Sequence, residues 1–285
     1  MDTIIIDGLS FALPLFIIAI GGIYSEKSGI TNLALEGFQG FGAFTGALAA
    51  VLIANALGTD IQNLFYVALL FAMLGGMAFS VIHAVLSIKF KADQVISGVV
   101  INILALALTT FLTTQINSLV FGTASDKFQL GVSQRFTIEG LADIPVIGAI
   151  FTNVYPFEVI IVVIAVFAWY LLYKTRYGMR LRACGENPHS VDTAGVDVAK
   201  IRFSAVLVSG LLSGLGGMCF AYSISANFSS SIYMGYGFLA IAALIFGNWR
   251  IVPTLAACLL FGFAKSGGAF IAQSMALPSS FTDLL

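Results

Sequence analysis

The chain has 285 residues, 59% of them hydrophobic and 9% charged, with a net charge of −1 and a mean hydropathy of +0.99. Soluble domains are about a quarter charged, so this composition excludes one and predicts an all-α, polytopic membrane protein whose residues 1–285 form one transmembrane domain. The small net charge argues against a nucleic-acid partner, and Cys184, Cys219 and Cys258, scattered without a CxxC pair, together with the distant His83 and His189, give no framework for a disulfide, metal or nucleophile.

About 20 mostly apolar residues cross a bilayer. Eight stretches reach or approach that length: Ile4–Ile23, Leu33–Leu57, Leu64–Ile88, Val95–Leu119, Phe157–Tyr173, Phe203–Ser223, Tyr236–Phe246 and Val252–Ile271. The first has no basic residues before it and no small-residue cleavage site, so it is expected to be a retained span rather than a signal peptide.

At the start of the second span Asn32, Glu36 and Gln39 are spaced i, i+4 and i+7, which on a helix is one face. Polar groups on one face of an apolar helix look into a bundle or a water-filled cavity. Gly37, Gly40 and Gly42 weaken the helix there, and interrupted helices build transport sites. The alternative is that Glu36 sits at a helix N-terminus, offset by the dipole. In the fourth span Asp93 reads as the N-cap. Asn102, Thr109, Thr110 and Thr113 stripe that span at i, i+7, i+8 and i+11, suited to helix–helix hydrogen bonds or to lining a path. Asn102 joins Asn32, Glu36 and Gln39 as a candidate for the substrate pathway.

A polar segment, about 122–155, follows and carries Asp126, Glu139 and Asp143 among mixed charges. Glu158 opens the fifth span, where the helix dipole accounts for it. The next connection, about 174–202, holds six basic residues. In its centre Asn187 is a helix N-cap, Pro188 suits the first helical position, and Gly195 is a C-cap able to turn left-handed. The expected product is a helix of about two turns, about 10 Å long, either docking another protein or merely crossing the surface. The seventh apolar run is too short to span. It is broken, re-entrant, or extended by the Ser- and Gly-rich residues before it. Lys265, inside the eighth span, either snorkels outward or lines a pathway.

Placing the N-terminus outside puts ten of the thirteen Lys and Arg residues in inner loops; Lys127 and Arg135 fall outside and Lys265 within a span. That bias places residues 174–202 in the cytoplasm. Gly210-x-x-x-Gly214 has the spacing of closely packed membrane helices. The Lys265-Ser266 pair lacks the glycines of a phosphate loop, and no catalytic set converges, so an enzyme is not expected and any ATP chemistry belongs to another chain.

Two motifs carry a resemblance. Ser25-Glu-Lys-Ser-Gly-Ile-Thr-Asn-Leu-Ala-Leu-Glu-Gly37 resembles the GE(R/K)-SG-xxNLxLEG signature of bacterial ABC-importer permeases for nucleosides and simple sugars, relatives of the ribose and branched-chain amino-acid permeases. Arg182–Gly195, reading RACGENPHSVDTAG, resembles that family's cytoplasmic A-x-GxNPxAAxxAGI loop, and Gly237–Gly247 is similar to its late GFxAIAVALLG segment. The resemblance implies a multi-pass permease subunit of the bacterial cell membrane. It also implies two ATP-binding subunits, a second related permease and an extracytoplasmic substrate-binding lipoprotein as partners, and purine nucleosides as the first choice of substrate. By the same resemblance Gly185, Glu186, Asn187, Pro188, Ala194 and Gly195 belong to the coupling helix on the ATPase. Ser25 departs from the family's usual glycine, and relatives continue into another span beyond the position of Leu285.

The expected mechanism is alternating access driven through that coupling helix. The alternatives are an ABC permease for a simple sugar or branched-chain amino acid, a stand-alone secondary transporter or channel, and a structural membrane scaffold.

Overall fold

A computed structural model describes residues 2–131, 135–142, 144 and 147–275. Asp143 and Leu285 lie outside the described residues. Among the described residues seven helices are long and apolar enough to cross a membrane. They are α1 (Asp2–Lys27), α2 (Leu35–Leu57), α3 (Phe65–Ala84), α4 (Gln94–Phe121), α5 (Pro156–Lys174), α8 (Val198–Phe220) and α10 (Ile251–Ser274). Between α5 and α8 lie α6 (Arg176–Glu186) and α7 (Pro188–Thr193), and α9 (Tyr236–Phe246) precedes α10. The eight predicted runs therefore become seven crossing helices and one short one. With 11 residues, α9 is about 16 Å long, half a bilayer.

Two helices are enclosed by the others. α1 and α8 are buried along most of their length, while α4, α5 and α10 bare apolar side chains such as Phe111, Val163 and Leu260, the pattern expected of helices whose outer faces meet lipid. Close approach around α8 depends on glycine. A Cβ added at Gly214 would run into the Ala72 carbonyl of α3, and one at Gly42 of α2 would run into Gly214 itself. Lipid supplies no hydrophobic drive between helices, so this backbone proximity is what holds α2, α3 and α8 together.

The two ends of the bundle differ. At one end the Lys27 turn, Gly185 and Arg202 meet. At the other, Thr3, Arg135, Ser223 and Gln273 line one cavity. The basic residues concentrate at the first end, which is therefore cytoplasmic, and the N-terminus is outside. The outer polar segment contributes a short strand, β1 (Lys127–Gln129), paired antiparallel with β2 (Asn227–Ser229). Their buried partners Phe128 and Phe228 pack against Phe44 of α2.

Three local expectations change. Asn32 does not lie on α2, which begins at Leu35, so Asn32, Glu36 and Gln39 do not share one helix face. Thr110 points outward and bonds back to its own helix at Leu106, because i+8 is rotated about 80° from i. Most of the 174–202 connection is helical, with α6 unforeseen. Asp93 does cap α4, accepting the Ile96 N–H at 2.9 Å. Ser25, in place of the family's glycine, keeps the turn: its hydroxyl donates to the Ile30 carbonyl at 2.9 Å.

Gly214→Leu is expected to cost the about 1–3 kcal/mol or more typical of overpacking, lowering the thermal midpoint in detergent. Gly267→Ala, where an added Cβ meets nothing, leaves it unchanged.

Candidate functional site

After α1 the chain does not turn straight into α2. Ser28–Ala34 runs non-helically back into the bundle. By Leu33 it is level with Asn102, about 12 Å along α4 from its start. A backbone without helical hydrogen bonds at that depth needs partners from elsewhere. Asn102 supplies two: its Nδ2 donates to the Leu33 carbonyl and its Oδ1 accepts the Gly37 N–H, both at 2.8 Å. Asn32 closes an Asx turn by accepting the Ala34 N–H at 3.0 Å, and its Nδ2 donates to the Ser209 hydroxyl of α8 at 2.9 Å. Glu26 of α1 accepts the Asn32 N–H at 3.1 Å.

A second break faces this one. From β2 the chain turns inward, and α9 starts inside the bundle at Gly235, which takes a left-handed φ of +87°. No side chain of its own caps this helix. Glu36 does so from α2: its Oε2 accepts the Gly235 N–H at 3.0 Å, and the carboxylate lies against the amides of Gly237 and Phe238. A carboxylate there meets both the freed N–H groups and the positive end of the α9 dipole. An added Cβ at Gly237 would strike the Glu36 backbone, so the two helix starts interlock. Gln39, one turn on, donates to the Tyr233 carbonyl at 2.8 Å. Tyr233 in turn packs over Gly40 and shares a hydrogen bond with Thr109 at 3.0 Å.

The four pathway candidates thus converge on one junction of two interrupted helices. Asn32 and Gln39 are buried, at 1% and 0% exposure, and each holds one backbone group, while the Gln39 Oε1 has no partner among the described residues. Glu36 and Asn102 are half-buried. Tyr233, absent from the sequence reading, belongs to the junction; its place in a Ser- and Gly-rich loop gave no sign of burial.

At the cytoplasmic end α6 and α7 form an elbow. Asn187 caps α7 by accepting the Ser190 N–H at 3.2 Å, and Pro188 opens it. Gly195 follows at φ +78°, with the Val196 N–H reaching back to the Val191 carbonyl, a Schellman closure. Ala194 is the C-cap residue. Val191 is buried, whereas Glu186, Asn187, His189 and Asp192 are exposed. Arg202 ties this elbow to the junction. Its Nε donates to the Ser28 carbonyl at 3.0 Å and its Nη2 to the Cys184 carbonyl at 3.3 Å. Gly185 lies so close to the Lys27 carbonyl that a Cβ there would collide. His83 braces the same region from α3, bonding Ser97 at 3.0 Å and the Thr31 carbonyl at 3.3 Å. Among the described residues no three His, Cys, Asp or Glu side chains group as metal ligands.

Comparisons with known proteins agree with this architecture. Residues 4–285 match the family described as branched-chain amino acid transport system / permease component. The chain is 42% identical to the guanosine ABC transporter permease protein NupQ of Bacillus subtilis, over 90% of this chain and 79% of that protein. It is 38% identical to the nucleoside ABC transporter permease protein NupC of Lactococcus lactis, over 100% and 88%. A second guanosine ABC transporter permease protein of Bacillus subtilis, NupP, is 26% identical over 95% and 71%. No solved structure matches the chain significantly.

Glu36→Leu leaves the start of α9 uncapped, a loss of about 0.5–2 kcal/mol. Hydrogen–deuterium exchange is expected to show faster exchange over Gly235–Phe238. Glu36→Gln, which keeps an acceptor, retains most of the protection.

Proposed function

The chain belongs to the branched-chain amino acid transport system / permease component family, and from that membership we propose that it takes up nucleosides as a permease subunit of an ABC importer in the cell membrane. The observation that carries the substrate class is the near full-length similarity to two permeases named for guanosine and for nucleosides. The chain is not itself an enzyme. ATP hydrolysis belongs to two partner ATP-binding subunits, and an extracytoplasmic lipoprotein delivers the substrate. The second permease is a distinct, related chain, a pairing supported by Bacillus subtilis having two such guanosine permeases. Residues 1–285 act as one transmembrane permease domain.

In this reading the ATPase holds the exposed face of α7, built on Gly185, Glu186, Asn187, Pro188, Ala194 and Gly195. Movement of the elbow passes through Cys184 and Arg202 to Ser28, the first residue of the non-helical Ser28–Ala34 segment. That segment leads directly to Asn32, Glu36, Gln39 and Asn102. Shifting it moves the Glu36 cap relative to α9 and opens or closes the path beside them. The two states must differ in affinity for the nucleoside, or ATP-driven switching would move nothing.

Radiolabelled guanosine uptake by the complete transporter tests the proposal. Glu186→Arg and Arg202→Met are expected to lower uptake about tenfold or more while the membrane retains normal amounts of the protein. Uptake of guanosine by the purified chain without an ATPase, or normal uptake in both variants, sinks the coupled mechanism.

A further inference from the structure

A cavity of about 340 Å³ opens at the outer end of the bundle between α1, α10, Ser223 and Ile224 just past α8, and Arg135. Its walls mix two chemistries. Helical spacing puts Asp7, Ser10 and Phe11 on one face of α1, and Ser266, Phe270 and Gln273 on one face of α10, with Lys265 at its edge.

Lys265 is the unusual group. Its side chain does not snorkel to the outer surface. The ammonium lies 4.6 Å from the Phe11 ring centre and 4.4 Å from that of Tyr236, and it donates to the Tyr236 hydroxyl at 2.5 Å. Among the described residues no carboxylate pairs with it, and the sole ion pair there is Lys200 with Asp197. A cation within a membrane span, held by aromatic faces and a hydroxyl, marks a functional position.

We propose that this cavity is the outer acceptance site for a purine nucleoside. The inference rests on the nucleoside reading above and adds where, and by which groups, the substrate is first held. The volume falls within the range of small-molecule sites, about 300–1,000 Å³. Guanine presents O6 and N7 acceptors suited to a Lys or Arg donor, and a flat face suited to aromatic side chains. Lys265 and Arg135 supply the donors and Phe11 and Phe270 the aromatic surfaces. Asp7 accepts from the ring N–H and amino groups of guanine, and Gln273 meets ribose hydroxyls.

The site is joined to the transport junction by one residue. Tyr236, which holds Lys265, is the first residue of α9, next to the Gly235 amide that Glu36 caps. Phe11 and Phe220 pack on its ring at centroid distances of 5.1 and 4.7 Å. A nucleoside that draws the ammonium to its own acceptors releases the Tyr236 hydroxyl, so occupancy is felt at the start of α9.

The test uses the complete transporter in lipid nanodiscs. Tritiated 8-azidoguanosine is photolysed on the wild type and the labelled peptides are mapped. Label is expected within residues 3–11 and 263–273 and is suppressed by excess guanosine. Lys265→Met is expected to raise the KM for guanosine uptake by about tenfold or more, about 1.4 kcal/mol, with Lys265→Arg partly restoring it. Protein yield stays unchanged. If wild-type transporter takes up guanosine but the label falls elsewhere, or Lys265→Met and Asp7→Asn leave KM unaltered, the cavity assignment is wrong and nucleoside uptake stands. If added anionic phospholipid alone corrects the Lys265→Met defect, the cavity is a lipid site and the assignment is overturned. If the wild type takes up no nucleoside, the functional reading itself fails, and this site with it.

Discussion

Inside a bilayer no water satisfies a freed amide or carbonyl, so every interruption of a helix has to be closed by a side chain brought from elsewhere. Two interruptions, Ser28–Ala34 before α2 and the turn before α9, are set against each other. Asn102 closes the first from α4, and Glu36 closes the second from α2. The helix that follows the first break thus supplies the cap of the second, which links the two. Glycine makes the geometry available: a Cβ at Gly237 would collide with Glu36, and one at Gly37 would crowd Asn102.

The same requirement explains how distant parts are connected. α7 is six residues long and exposed on its outer face, so by itself it commands little of the bundle. Its leverage comes from Arg202, whose planar guanidinium serves two carbonyls on different segments at once, one at the end of α6 and one at the head of the non-helical segment. A lysine, with its compact charge, would not hold both in a fixed relation. The elbow, the clasp and the junction thus lie along one continuous line of hydrogen-bonded backbone.

At the opposite end the bundle is looser and more polar. The β1–β2 pair and the aromatic rings beneath it close the outer side of α2, while the cavity between α1 and α10 stays open toward Arg135. The rigid contacts of the bundle are concentrated where α2, α3 and α8 meet through glycine. The face expected to admit a ligand is drawn from the side where such contacts are few.

Composition and hydropathy alone determined the class of protein, the number of apolar runs and the orientation, because burial in lipid and the placement of Lys and Arg act on each stretch locally. The caps at Asp93, Asn187 and Gly195 were legible for the same reason: each bonds within a few residues of itself. The pairings that make a site were not legible. Glu36 caps a helix 199 residues away, and Asn32, which period 3.6 places on α2, falls in extended chain. Tyr233 and Lys265 gave no local sign of their partners. Only the tertiary structure decided these, because a hydrogen bond that satisfies broken backbone in hydrocarbon is chosen by which segment lies alongside, and spacing along one chain carries no record of that.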